Sequence, residues 1–233
     1  RSGGIQVRIF VGSMNIIITG ASRGIGYETA KILAKENKVI AISRSAKKNK
    51  LPGVIPIVFD FGKGNIKKDL FPQIHEHFKT VDVLINNAAT FTKKSFGEIS
   101  QMDFEKVFRV NVFSIAELTQ TILPLMKKGH VLNIASMGAI QGSVKFPGLS
   151  AYSSSKGALI TLTECLAEEY KGENISFNAI AFGAVQTEML SEAFPDFKAP
   201  ITAEEAAKFV SDFAISGRNY FNGQILQMAL STP

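Results

Sequence analysis

Hydrophobic positions along the chain fall into short runs separated by longer amphipathic stretches. Runs rich in valine and isoleucine alternate with segments of helical spacing, which is typical of parallel strands buried on both faces and joined by helices. Turn-forming residues bound helices that are predicted to begin near Gly24, Ile66, Phe104, Tyr152 and Ala203. The seven predicted strands are residues 14–19, 38–43, 54–59, 81–86, 130–135, 175–181 and 223–229.

This alternation predicts one α/β domain with a Rossmann-like, doubly wound parallel sheet of about seven strands. No repeat or low-complexity linker divides the chain. Gly12 and Ser13 directly precede Met14, where the first strand begins, so residues 1–13 are predicted to be an expression remnant or a disordered lead. The domain is then residues 14–233. Near residues 187–201, aromatic residues and two prolines predict a short substrate flap.

Composition and charge bear on the cellular compartment of the protein and on what it can bind. With 45% hydrophobic and 20% charged residues the chain has an ordinary globular balance. Its one cysteine, Cys165, excludes an intramolecular disulfide, and no run is long and apolar enough for a membrane helix or a signal peptide. We therefore expect a cytoplasmic protein. The net charge of +6 is dispersed and the chain has four tyrosines and no tryptophan, which argues against nucleic-acid binding.

A glycine-rich turn follows the first predicted strand and opens the first predicted helix. Its glycines are Gly20, Gly24 and Gly26, which allow a tight turn, a close backbone approach to a pyrophosphate and close packing of helix on strand. The residues between them are also candidates for cofactor binding, namely Ser22, Arg23 and Ile25.

The end of the second predicted strand bears on the cofactor's phosphate state. An acidic residue there would accept a hydrogen bond from a ribose hydroxyl and repel a 2′-phosphate, but the sequence has Ser43 followed by Arg44. A guanidinium suits phosphate, and Arg23 could converge on the same group. NADP(H) is therefore favoured over NAD(H). The alternative is that Arg44, beside Lys47 and Lys48, belongs to a solvated basic loop.

Tyr152 and Lys156 lie four residues apart at the start of a predicted helix, so that phenol and ammonium address the same small volume. A nearby lysine cation, with the positive oxidised nicotinamide, favours the tyrosinate, and we expect the two to lower the pKa of Tyr152 from about 10. Such a pair suits general acid and base catalysis, and Lys156 can also bind the cofactor.

These motifs, with the glycine spacing G-x-x-x-G-x-G and Asn86-Asn87-Ala88-Ala89, resemble those of the short-chain dehydrogenase/reductase family. The resemblance extends from Met14 to Ala229. It implies that Asn87 and Ala88 support the adenosine ribose region and that Asp60 reads the adenine amino group. It also implies that Val185 and Thr187 bind the nicotinamide side, after a segment in which Phe182 replaces the family's usual proline.

The resemblance further implies a catalytic set of Ser136, Tyr152, Lys156 and Asn111, with Ser136 on the substrate oxygen and Asn111 bending its helix and holding a water near the lysine. Because the loop between Ser136 and Tyr152 is about three residues longer than is usual in the family, Ser143 is an alternative serine.

The implied function is hydride transfer between NADP(H) and a carbonyl/alcohol pair, most simply reduction of a 3-oxoacyl thioester or of a small apolar ketone or aldehyde. The family pairs through its long helices, here around residues 104–126 and 150–171, which implies a homodimer or homotetramer. An acyl carrier protein is a candidate partner because Lys127, Lys128 and Lys171 lie near helix ends, although lysines there also suit the helix dipole.

Other classes of function have less support. His75 and His77 are two residues apart and point in different directions on a helix, so no metal site is predicted. No G-x-S-x-G elbow with a partnered histidine indicates a serine hydrolase. The alternative that stays open is a non-catalytic NADP(H)-binding sensor or scaffold on the same fold.

Overall fold

The computed structural model describes residues 13–45 and 51–230. The predicted lead lies outside the described residues apart from Ser13, and Lys47 and Lys48 lie outside them too. The sheet has seven parallel strands in the order β3-β2-β1-β4-β5-β6-β9, which confirms the predicted fold class. Its strands are β1 (Asn15–Thr19), β2 (Lys38–Ser43), β3 (Val54–Val58), β4 (Val83–Asn86), β5 (Gly129–Ser136), β6 (Ile175–Phe182) and β9 (Ile225–Met228).

Four of the five predicted helix starts lie within three residues of the start of an α-helix, and the fifth, Ile66, begins a π-helical turn five residues before one. The helices cover both faces of the sheet. A π-helical turn, Ile66–Leu70, leads into α2, and another, Arg109–Phe113, joins α3 to α4. The flap region contains a further short helix, α6. The α-helices are α1 (Gly24–Leu33), α2 (Phe71–His77), α3 (Gln101–Phe108), α4 (Ser114–Ile122), α5 (Ser150–Glu169), α6 (Glu188–Ala193) and α7 (Ala203–Ser216).

Strand β1 shows how the sheet is buried on both faces. Ile16 and Ile18 point into the core layer formed with α1 and α7, whereas Ile17 points into the layer formed with α2 and α4. All three isoleucines are fully buried, so the continuous apolar run reflects a strand with no solvent-facing side.

The order of the strands sets the position of the cleft. The chain builds β1, β2 and β3 in one direction and then returns to place β4 on the other side of β1. At such a switch point the loops that follow the two adjacent strands diverge and leave a crevice at the strands' carboxyl ends. Thr19 and Asn86 end the two strands at this crevice.

The segment after β6 forms a small structure of its own. Strand β7 (Val185–Gln186) pairs in parallel with β8 (Ile201–Thr202), and α6 lies between them. Because β7 and β8 pair with each other, the two ends of the predicted flap region lie side by side.

Candidate active site

A cavity of about 600 Å³ opens at the carboxyl ends of the strands. Of the residues predicted for the site, Gly26 and Asn111 do not line it, and the others all do. The predicted residues that line the cavity are Gly20, Ser22, Arg23, Gly24, Ile25, Arg44, Asp60, Asn87, Ala88, Ser136, Tyr152, Lys156, Val185 and Thr187.

The glycine turn after β1 has no room for side chains at two positions. A Cβ atom on Gly20 would lie 2.7 Å from the Ala88 Cα, and Gly20 has a φ of +69°. A Cβ atom on Gly26 would lie 2.4 Å from Asn87 Nδ2. Both distances are shorter than real Cβ contacts, so glycine is needed here for close approach of α1 to the β4 end.

Thr19 and Asn87 join the ends of β1 and β4. The Thr19 hydroxyl accepts hydrogen bonds from the backbone N–H groups of Asn87 and Ala88 at 3.0 and 2.9 Å. The Asn87 amide in turn donates to the carbonyl oxygens of Thr19 and Gly20. Asn87 therefore holds the glycine turn in place. Sequence analysis did not single out Thr19, although its position directly before Gly20 was a signal.

Two residues at the end of β2 define the far side of this cavity. Ser43 is buried, and its hydroxyl has no hydrogen-bond partner among the described residues. Arg44 is exposed beside it, and no carboxylate pairs with its guanidinium in the described part of the chain. An unsatisfied buried hydroxyl next to an unpaired cation favours an anionic ligand.

Asp60 lies two residues beyond β3 and lines the same end of the cavity. One of its carboxylate oxygens accepts from the backbone N–H of Gly62 at 2.8 Å. Lys63 and Lys106 also line the cavity, and sequence analysis missed both because isolated lysines carry no distinguishing pattern. The cavity is thus rich in positive charge at this end.

Ser136, Tyr152 and Lys156 lie together at the opposite end. Ser136 ends β5, and its hydroxyl accepts from the backbone N–H of Gly138 at 3.2 Å. The Tyr152 hydroxyl is hydrogen-bonded to Ser136. Lys156 is fully buried, and its Nζ donates to the carbonyl oxygen of Ile134 at 2.6 Å. A hydroxyl pair and an ammonium can therefore act on one substrate group.

Burial is the largest influence on the pKa values of Tyr152 and Lys156. It raises the pKa of the Tyr152 phenol above 10, and the hydrogen bond with Ser136 only partly opposes the rise. It also lowers the pKa of Lys156 from 10.5 to about 8. The predicted lowering of the Tyr152 pKa by Lys156 is therefore wrong for this structure, because removal from water disfavours both charged forms.

Asn111 lies behind the cavity, in the π-helical turn between α3 and α4. It is fully buried. Its amide donates to the Thr90 carbonyl oxygen and to the Ser155 hydroxyl, and its own oxygen accepts from the Thr90 N–H. Asn111 thus connects the loop after β4 to α5 one residue before Lys156.

Three consecutive residues at the end of α6 contact both ends of the cavity. Glu192 pairs with Arg23 of the glycine turn at 2.7 Å. The Ala193 carbonyl oxygen accepts a hydrogen bond from Lys93. Phe194 packs edge-on against Phe146, with ring centroids 5.6 Å apart.

Comparison with known proteins agrees with this arrangement. A family profile described as short chain dehydrogenase matches residues 14–198. The chain belongs to the short-chain dehydrogenase/reductase family. It is therefore an oxidoreductase of a family that uses a nicotinamide cofactor.

Individual relatives and a solved structure cover most of the chain. It is 29% identical over 235 residues to a 3-oxoacyl-(acyl-carrier-protein) reductase FabG of Thermotoga maritima, covering 90% of this chain and 94% of that protein. It is 29% identical over 183 residues to carbonyl reductase (NADPH) 2 of Sus scrofa, covering 76% and 73%. The crystal structure of acetoin dehydrogenase YohF from Salmonella typhimurium matches with a TM-score of 0.80 and 26% identity, covering 93% and 94%.

The structure also decides between alternatives left by the sequence. The Ser143 hydroxyl donates to the Met137 and Ile140 carbonyl oxygens and does not line the cavity, so Ser143 does not compete with Ser136. Phe182 is buried in the core at the end of β6. Phe182, where the family usually has proline, is also one of the residues that line the cavity.

His130 is buried and hydrogen-bonded to Ala214 and Asn178, and the described residues contain no cluster of side chains that could hold a metal ion. Within the described ranges, no helix is long and apolar enough to cross a membrane.

Proposed function

We propose that this short-chain dehydrogenase/reductase uses NADPH to reduce a carbonyl compound to its alcohol. The observation that carries the proposal is that Ser136, Tyr152 and Lys156 share one cavity with the glycine turn and Arg44. The name of the Sus scrofa relative, carbonyl reductase (NADPH) 2, supports the same reaction and the same cofactor.

The residues of the cavity fit an NADP cofactor. Among the described residues, Ser43 offers a buried hydroxyl without a partner and Arg44 offers a guanidinium that no carboxylate pairs with. Ser43 and Arg44 at the end of β2 also include no acidic side chain that would repel a 2′-phosphate. The glycine turn can bring backbone N–H groups to a pyrophosphate. Tyr152 and Lys156 would contact the nicotinamide end of the cofactor. The other residues that would hold it are Gly20, Ser22, Arg23, Gly24, Ile25, Ser43, Arg44, Asp60, Asn87, Ala88, Val185 and Thr187.

A reduced nicotinamide bound at this end supplies the hydride for the carbonyl carbon. Tyr152 donates the proton that the carbonyl oxygen needs, and its raised pKa keeps the phenol protonated at neutral pH. Ser136 accepts from the Gly138 N–H, and the hydroxyl hydrogen with which it bonds to Tyr152 can turn to the substrate oxygen on which negative charge develops.

Lys156 and Asn111 support this acid. With a pKa of about 8, Lys156 is mostly charged at neutral pH, so that it can return a proton to Tyr152 or bind ribose hydroxyls. Both amide hydrogens of Asn111 are used on Thr90 and Ser155. Asn111 is therefore a positioning residue that fixes the start of α5, on which Tyr152 and Lys156 lie.

The proposal is tested by NADPH oxidation against a broad panel of ketones, aldehydes and 3-oxoacyl thioesters. Tyr152→Phe removes only a hydroxyl, so NADPH affinity is expected to stay at the wild-type value while turnover falls by about 10²-fold or more. Tyr220→Phe removes a hydroxyl from an exposed ring outside the cavity and is the matched control. A protein that binds NADPH but oxidises it with no carbonyl of the panel would be the sensor, and the proposal would be wrong.

A further inference from the structure

Many of the cavity residues contributed by the segments near Ser136 and Tyr152 are apolar, and half of this apolar set is aromatic. The set comes from the loops after β4 and β5, the end of β6, and the segment after β6 that includes α6. The residues of the set, which define the apolar half of the cavity, are Phe91, Met137, Phe146, Leu149, Phe182, Met189, Leu190 and Phe194.

The charged residues of the wall lie in the other half, apart from the catalytic Lys156. Glu188 of α6 lies beside the glycine turn, because a Cβ on Gly24 would lie 3.7 Å from its carboxylate. Lys106 lies one helical turn before Val110, whose side chain borders Gly62 next to Asp60. Apart from Lys156, which the proposed chemistry already engages, a carboxylate or phosphate on the substrate would find no cation of this half beside Tyr152, and its burial there would be unfavourable.

Phe146 and Phe194 form an aromatic clasp across this apolar half. Phe146 precedes α5 in the loop after β5, whereas Phe194 follows α6 in the segment after β6. Their rings meet edge to face at 5.6 Å with an interplanar angle of 72°. The clasp joins the segment that leads into α5, the helix of Tyr152, to the segment after α6, and both phenylalanines line the cavity.

Lys93 fixes one half of the clasp from outside. Its Nζ lies 4.7 Å from the centroid of the Phe194 ring and also donates to the Ala193 carbonyl oxygen. Phe194 lines the cavity and Lys93 does not, so the ammonium is engaged away from the substrate. The neighbouring Lys94 N–H donates to the Gly148 carbonyl oxygen at 3.1 Å, which ties the same loop to the segment that carries Phe146.

We propose that the substrate is an uncharged carbonyl compound with an aromatic ring on the carbonyl carbon, gripped by Phe146 and Phe194, and that Lys93 is the positioning residue of the clasp. The inference rests on the proposed function and names its substrate class. Aromatic rings favour edge-to-face and offset contacts with other rings, and the clasp already presents one such geometry. A flat ring held by the clasp would lie in the same cavity as Ser136 and Tyr152, which would receive the carbonyl oxygen.

The first test compares three ketones that share the acetyl group. They are acetophenone, cyclohexyl methyl ketone and ionised 4-acetylbenzoate. The first two have six-membered rings of similar size, of which only that of acetophenone is flat. The third adds a negative charge to the flat ring. Binding is measured by saturation-transfer NMR with NADP⁺ present, so that no turnover occurs. Acetophenone is expected to bind about 3- to 10-fold more tightly than the cyclohexyl ketone, and 4-acetylbenzoate at least about tenfold more weakly than acetophenone.

The second test uses variants of the clasp. Phe194→Leu and Phe146→Leu are expected to abolish the preference for acetophenone by raising KM about 3- to 10-fold, with little change in kcat, when measured at saturating NADPH. Phe194→Tyr keeps a ring and is expected to keep the preference. Phe96→Leu, at an exposed phenylalanine outside the cavity, is the control. Lys93→Met is expected to raise KM about 2- to 5-fold, and Lys94→Met to leave it unchanged.

The outcomes separate the clasp from the proposed function. Selective binding of acetophenone without turnover supports the clasp and overturns the reductase. Turnover of carbonyl compounds with equal affinity for the aromatic and saturated ketones, or a preference that survives both leucine variants, supports the reductase and overturns the clasp. Absence of both binding and turnover overturns the two together.

Discussion

The Arg23 guanidinium donates to the Glu192 carboxylate at 2.7 Å, across 169 residues of chain. Arg23 is a predicted cofactor ligand in the glycine turn, and Glu192 lies near the end of α6. Both side chains are about half exposed, 45% and 52%, so the pair contributes little to stability. The pair matters because the Glu192 carboxylate already binds the Arg23 guanidinium, which the 2′-phosphate of NADP would bind.

Glu192→Gln should therefore tighten NADPH binding. The change removes a competing negative charge without altering the size of the side chain, and we expect the dissociation constant to fall by about 2- to 5-fold, with less effect on NADH. Fluorescence titration at low and high salt measures both. Glu168→Gln, whose partner Lys171 lies on the surface away from the cavity, is the control. Unchanged NADPH affinity would show that Arg23 does not contact the phosphate.

Arg44→Ala should narrow the preference for NADPH over NADH. Arg44 is an exposed, unpaired cation next to the unsatisfied hydroxyl of Ser43. Loss of a charge-assisted contact to phosphate should weaken NADPH binding by about 10- to 100-fold and leave NADH binding nearly unchanged. Arg109→Ala, which removes a surface cation paired with Glu117, should change neither. Equal wild-type dissociation constants for the two nucleotides would contradict the choice of cofactor.

The buried Lys156 should make stability rise with pH. Its pKa is about 8 in the folded protein and 10.5 without burial, so between these values the unfolded chain holds more protons and each rise in pH favours the folded state. The gain amounts to at most about 3 kcal/mol. Urea unfolding of nucleotide-free protein at pH 7.5 to 10, set against Lys156→Met, isolates this contribution. A variant whose stability follows the same pH curve as wild type would show that Lys156 does not titrate there.

Asn111→Ala should weaken the fold near the site. The substitution leaves the backbone N–H and C=O of Thr90 and the Ser155 hydroxyl without their partner. We expect a loss of about 2 kcal/mol in the free energy of unfolding. Asn219→Ala, at an exposed asparagine with no side-chain hydrogen bond among those described, should cost little. If Asn111→Ala instead retains full stability but loses turnover, Asn111 acts in the chemistry and not in positioning.

The predicted pairing through the long helices can be tested at exposed apolar residues. Phe113, between α3 and α4, is 53% exposed, and Met102 of α3 is 75% exposed. Burial of such residues favours association. We expect at least a dimer mass by light scattering at micromolar protein, and a monomer for Phe113→Lys. Val144→Lys, on a loop, should leave the mass unchanged, and a monomeric wild type would contradict the prediction.

The sequence was sufficient for the parts of the protein that repeat a local pattern. The seven strands and the helix starts followed from runs such as residues 14–19, because a strand buried on both faces must be apolar throughout. The glycine turn was equally clear, because Gly20 and Gly26 admit no other residue. These features depend on neighbours in sequence.

What the sequence did not indicate depends on contacts between distant loops. Lys93 and Glu192 become informative only once the segments after β4 and β6 meet. Phe194 is one of the aromatic residues of the predicted flap, but its contact with Phe146 is seen only in the fold. The protonation of Tyr152 was mispredicted for a related reason. Spacing places Lys156 near the phenol, but only the folded environment shows that burial outweighs the charge of Lys156.

Residues 192–194 couple the binding of substrate to the binding of nucleotide, so that the two affinities cannot be altered independently. One residue of the stretch contacts the glycine turn and the next two contact the substrate end through Lys93 and Phe146. A substitution that reshapes the pocket for a new substrate would shift α6 and thereby change how Arg23 is held. Selection for altered substrate preference at Phe194 would therefore carry a change in nucleotide affinity with it, and compensating substitutions should appear at Arg23 or Glu192.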